Sequence, residues 1–238
     1  MRENAAIALA AAAYLVILLS IASFVLKARL LWRAAQLSSR ASSLEECPSC
    51  ATAGRATADV LLLLRLLKAN DVLWLGEWLF HVSFLFVFMR HLRYVLNPLP
   101  ACTAFFQPAG IIAGYILPCA LVYILVIKLA NEKRYILSYN FFLIGVLLLL
   151  STTGILLRTV FRTDVVAVKL YVLGLLKFSP GAVPQGLLFA VHFLLALLLV
   201  LCLPTHLLTA PLTLLDARKR EEEVEELMHG QQGDPNMQ

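Results

Sequence analysis

Four histidines and two arginines lie inside runs of Phe, Leu and Val. Residues 79–98 read LFHVSFLFVFMRHLRYVLNP and carry His81, Arg90, His91 and Arg93. A second run, VHFLLALLLVLCLPTH over 191–206, carries His192 and His206. The fifth histidine, His229, is in a polar tail and is assigned no role. An ionisable side chain in hydrocarbon is costly and marks a functional position by default. One such histidine is usually explained by a hydrogen bond to a neighbouring helix. Two on each of two apolar runs, with none on the others, is a different pattern. A neutral imidazole is a strong iron ligand, and two facing imidazoles can hold a haem iron from both sides.

The elements that must position these groups follow from composition. Of 238 residues, 61% are hydrophobic and 15% charged, against roughly half and a quarter in soluble domains. Residues 4–26, 109–127 and 135–157 carry no charge, and neither does 178–215, where a helix is expected over 187–208. The run 72–96 is broken only by Glu77, His81 and the Arg90–Arg93 cluster. Each is long enough for one crossing of about 20 residues. Spanning segments must satisfy their own backbone, so these are helices. The expected fold is an all-α integral membrane protein with five transmembrane helices. The length of the first run, and Lys27 and Arg29 behind it, favour a retained helix over a cleaved signal peptide. The net charge of +5 does not point to nucleic acid, because the basic residues sit at the ends of apolar runs.

Orientation comes from the positive-inside rule. With the N-terminus outside, 13 Lys and Arg residues face inward and 7 outward. The expectation is therefore N-terminus out and C-terminus cytoplasmic. Spans 2 and 5 then run in opposite directions. About 15 Å of helix separates His81 from His91, and about 21 Å separates His192 from His206. Two cross-helix pairs result: His81 with His206 toward the inner face, and His91 with His192 toward the outer face. Two haems between spans 2 and 5 would be b-type, since no CxxCH attachment motif occurs. Arg90 and Arg93 either snorkel to outer headgroups or pair with haem propionates, which guanidinium groups match bidentately.

The rest divides into a membrane domain, 1–215, and a charged tail, 216–238, expected as a short cytoplasmic helix. The membrane domain includes a cytoplasmic insertion, 27–71. Within that insertion, 42–57 reads as loop and 58–71 as an interfacial helix with Arg65 and Lys68. Residues 163–178 form a similar apolar segment on the outer side, ended by Pro180, Gly181 and Pro184. Cys47 and Cys50 form a single CxxC with no second pair. Structural zinc and iron–sulfur sites need four ligands, so free thiols are the first reading. A redox dithiol or a contribution to a partner's cluster is the other. STTG at 151–154 is a small-residue packing spot rather than a phosphate loop.

The quartet also resembles a known family. LFHVSFLFVFMRHLRYVLNP is similar to the second helix of the cytochrome b (gamma) subunit of respiratory nitrate reductase. WRAAQLSSR (32–40) resembles the basic stretch after that family's first helix, and VHFLLALLLVLCLP (191–204) and HLLTAP (206–211) resemble its fifth helix. The likeness extends over about residues 5–215. Two features depart from it. The chain is four residues shorter between Pro204 and His206, about one helical turn. The insertion at 41–70 looks more like the related membrane cytochromes of sulfite-reduction-associated and heterodisulfide-reductase-like complexes.

The resemblance implies a multi-pass subunit of a prokaryotic cytoplasmic (inner) membrane, not catalytic alone. It implies oxidation of menaquinol or ubiquinol near the outer haem (His91, His192). Electrons then pass through the inner haem (His81, His206) to a cytoplasmic iron–sulfur subunit of a multi-subunit reductase. No residue is assigned to quinol, since the family's lysine after the second helix has no counterpart in 94–127. The same ladder run backwards is a quinone reductase, and sequence does not separate the two directions. A reading of another class is a haem-free membrane anchor.

Overall fold

The computed structural model describes residues 2–41, 62–131 and 138–205. In chain order the helices are α1 (Arg2–Ala41), α2 (Leu64–Ala69), α3 (Asp71–His91), α4 (Ala101–Phe105), α5 (Gln107–Asn131), α6 (Ser138–Thr159), α7 (Val165–Leu176) and α8 (Leu187–Thr205). A single 3-10 turn, Leu92–Tyr94, continues α3. No strand occurs among the described residues. Among the described residues five segments are long and apolar enough to cross a membrane: Ala6–Arg33, Asp71–Tyr94, Gln107–Ala130, Tyr139–Thr159 and Leu187–Thr205. These are the five expected spans, so the chain is a multi-pass membrane protein.

Local chemistry sets the helix ends. Asn70 is extended, and its side chain accepts a hydrogen bond from the Leu73 amide at 2.9 Å, while Asp71 sits in the first turn. Both satisfy the positive start of α3. Asp164 caps α7 in the same way, accepting from Val166 at 2.8 Å. The 58–71 segment departs from expectation. Its described part is broken at Leu63, whose φ of 52° is left-handed, and again at extended Asn70. The Trp74 indole N–H donates to the Leu62 carbonyl at 2.9 Å, which holds the broken segment against α3. The basic stretch 26–40, by contrast, continues α1 without a break.

The core lies between α3, α5, α6 and α8. Leu73, Leu117, Leu121, Ile124, Ile144, Leu147 and Leu199 form one buried cluster. The α3–α5 crossing is close because each helix offers a glycine. A Cβ at Gly76 would stand 2.7 Å from the Tyr123 ring, and one at Gly110 would stand 2.7 Å from Arg90 Cβ. In lipid, such backbone proximity replaces the hydrophobic effect as the source of helix association. Helix α1 packs through buried Ala10 and Ala13 and leaves Leu18 and Leu26 exposed to the lipid side. Tyr14 donates to Leu175 O and Ser20 to Val200 O, each at 3.0 Å, and Lys27 bonds Thr205. These contacts fix α1 along α7 and α8. Residues 42–61 (with Cys47 and Cys50), 132–137 and 206–238 (with His206 and the charged tail) lie outside the described residues.

Candidate functional site

His91 is the last residue of α3, and His192 sits in the second turn of α8. The chain reaches α8 from α6 through α7, and the start of α8 lies beside the end of α3. Their imidazole centroids are 6.5 Å apart and their planes differ by 20°. Each ring is fixed by its Nδ1. The His91 Nδ1 lies 2.7 Å from the Val87 carbonyl one turn back, and the His192 Nδ1 lies 2.9 Å from Thr153 Oγ1 on α6. A carbonyl only accepts, so His91 donates through Nδ1–H and keeps its Nε2 lone pair. His81 has the same arrangement, with Nδ1 2.6 Å from the Glu77 carbonyl.

The spacing of this pair is near that of two imidazoles sharing one iron. Two metal–imidazole bonds of about 2 Å, plus about 1 Å from each nitrogen to its ring centre, put the centroids about 6 Å apart. The observed 6.5 Å is close to that, and is also near the upper end of plain aromatic contact. Among the described residues no three His, Cys, Asp or Glu side chains converge on one point. A tetrahedral protein-only site is therefore not built there, whereas a porphyrin brings four ligands of its own and asks the protein for two.

The two arginines differ in how they are committed. Arg90 donates to the Gln107 carbonyl at 3.1 Å, at the start of α5. Arg93 donates to the Tyr94 hydroxyl at 2.6 Å and lies over the same ring at 4.7 Å. Its Nε is buried with no hydrogen-bond partner among the described residues. That orphaned donor, two residues from His91, suits a carboxylate such as a propionate.

Midway along α3, His81 packs edge-on against Phe80 at 4.8 Å. Its expected partner, His206, lies outside the described residues, so the inner pair is not described. Beside it, Glu77 and Lys128 form an ion pair at 2.8 Å between α3 and α5. In the sequence Glu77 stands out only as an interruption of an apolar run. An acidic group in one span and a basic group at the end of another are the signal that could have paired them. Thr153 and Gly154 were also missed as site residues. They belong to the STTG stretch, and a Cβ at Gly154 would stand 3.2 Å from His192 Cε1. Hydroxyls in the middle of a span, level with a histidine on another, were the available clue.

Comparisons with known proteins bear on the rest. No family model matches the chain, and no solved structure matches it. A protein of Archaeoglobus fulgidus named Hdr-like menaquinol oxidoreductase cytochrome b-like subunit is 29% identical over 182 residues, covering 64% of this chain and 55% of the relative. A protein of the same name from Archaeoglobus profundus is 28% identical over 139 residues, covering 51% of this chain and 41% of the relative. The chain thus spans about half the length of the curated relatives it matches. Their names agree with the heterodisulfide-reductase-like side of the resemblance, the side to which the 41–70 insertion pointed.

Proposed function

We propose that this chain is the membrane electron-transfer subunit of a menaquinol-dependent oxidoreductase of the heterodisulfide-reductase-like kind. In this reading it holds two haems b, the outer one by His91 and His192 and the inner one by His81 and His206. The observation that carries it is the His91–His192 pair: two imidazoles from different spans, near-parallel, 6.5 Å apart. Bound haem supplies reversible one-electron chemistry at its iron. The chain supplies the rest. Val87 and Glu77 hold their histidines with Nε2 available, and Arg93 offers a buried N–H to a propionate. The Glu77–Lys128 pair neutralises two charges beside His81.

The names of the relatives favour menaquinol over ubiquinol and a heterodisulfide-reductase-like partner over a nitrate reductase. The excess of basic residues on one side favours an N-terminus outside and a C-terminus in the cytoplasm of a prokaryotic inner membrane. Quinol is then oxidised near the outer face, and electrons leave inward to an iron–sulfur subunit docked on the cytoplasmic segments.

The test is the dithionite-reduced minus oxidised spectrum of the purified protein, with its haem-to-protein ratio. Two b haems per chain are expected, falling to one in His91→Ala. Absence of haem from folded, well-expressed protein returns the histidines to helix packing and refutes the proposal.

A further inference from the structure

We infer that Thr153 is a positioning residue for His192: its hydroxyl fixes the imidazole tautomer and so sets how strongly that ring donates to a bound iron. The inference rests on the haem reading for its consequence, though not for its geometry.

One proton decides the arrangement. Thr153 Oγ1 lies 2.8 Å from the Leu149 carbonyl, 3.0 Å from the Leu150 carbonyl and 2.9 Å from His192 Nδ1. A hydroxyl has a single hydrogen and can accept through its lone pairs. Carbonyls cannot donate, so that hydrogen goes to the backbone of α6. The lone pair is left facing His192, and Nδ1 must carry the proton. Nε2 is thereby left bare, on the nitrogen that coordination requires.

Gly154 keeps the ring in place for this bond, because a Cβ there would lie within 3.2 Å of Cε1. The three described histidines are not equivalent. His81 and His91 bond backbone carbonyls of their own helix, which no substitution removes. His192 differs in that its Nδ1 meets a side chain of another helix, Thr153, with the Leu150 carbonyl beside it. Partners of this kind raise ligand basicity and orient the ring. Threonine thus also ties α6 to the outer site, a role that packing by small residues does not require.

The experiment compares wild type with Thr153→Val, which keeps the shape, and Thr153→Ser, which keeps the hydroxyl. The first readout is 15N NMR of histidine-labelled, haem-free protein in detergent. His192 should be the Nδ1–H tautomer in wild type and in the Ser variant. In the Val variant the tautomer ratio should move roughly threefold to tenfold toward Nε2–H, the effect of one lost hydrogen bond. The second readout is the midpoint potential of the outer haem in loaded protein. It should rise in the Val variant and return in the Ser variant, by about 59 mV for each tenfold loss of ferric preference in a one-electron couple. Thr153→Ala replaces the Val variant if the latter does not fold. Unchanged tautomer and potential in a folded hydroxyl-free variant overturn the inference. An intact tautomer effect in a chain that never takes up haem overturns the proposed function instead.

Discussion

Replacing Gly110 with alanine puts a methyl group into the tightest crossing of the bundle. The new Cβ would stand 2.7 Å from Arg90 Cβ, 2.8 Å from the Phe86 carbonyl oxygen and 3.2 Å from Arg90 Cδ. Ordinary contact begins at 3.4 Å. The carbonyl belongs to the α3 backbone and Arg90 Cβ is bonded to it, so neither yields by a rotamer change. Helices α3 and α5 must part locally by about 0.7 Å, and overpacking of this kind costs about 1–3 kcal/mol.

Gly114, one turn along the same helix, is the control, since a Cβ there meets nothing within 4 Å. Alanine at 114 should stay within about 1 kcal/mol of wild type, on the stabilising side, because it only removes backbone freedom. Unfolding by SDS in mixed micelles, followed by tryptophan fluorescence, reads the difference, since Trp74 and Trp78 lie on α3. The displaced segment ends at His91, so under the proposed dihaem function the haem assigned to His91 and His192 should be released first in Gly110→Ala, and the haem ratio should fall toward one. Equal behaviour of the two variants would refute the close crossing and its coupling to His91.

Three further outcomes are expected. Tyr171 is fully buried and its hydroxyl has no hydrogen-bond partner among the described residues, so Tyr171→Phe should stabilise the fold by about 1 kcal/mol in the same SDS titration. Burial, with a smaller contribution from Tyr14, holds the Tyr171 phenol above its ordinary value of 10.0. The unfolded chain therefore loses this proton first: stability is full below pH 10 and falls as pH rises toward the folded value. Tyr171→Phe should flatten that alkaline limb. Glu77→Gln leaves Lys128 without its counter-ion in a setting where both side chains are mostly covered. It should destabilise by roughly 1–3 kcal/mol, and a Glu77→Leu/Lys128→Leu double variant should recover most of the loss; a double variant no better than the single one would show that the loss does not come from an unpaired Lys128.

The sequence by itself determined the class of fold and where the spans lie. Charge-free runs of about 20 residues have one stable form in lipid, because only a helix satisfies every backbone group from within. It also singled out His81, His91, His192 and His206, since ionisable groups in such runs are conspicuous, and the alternation of span direction paired His91 with His192. What needed the tertiary structure is everything that depends on distance across helices. Gly110 became a packing position only when Arg90 and Phe86 were seen against it. Thr153 became the partner of His192 only when α6 and α8 were side by side. Arg90 and Arg93, indistinguishable in sequence, parted because Gln107 lies within reach of one and leaves the Nε of the other unpartnered. Hydrophobic patterning acts along the chain and is legible in one dimension. Hydrogen bonds and van der Waals contact act over a few ångströms between segments far apart in sequence, and nothing in the order of residues encodes those distances directly.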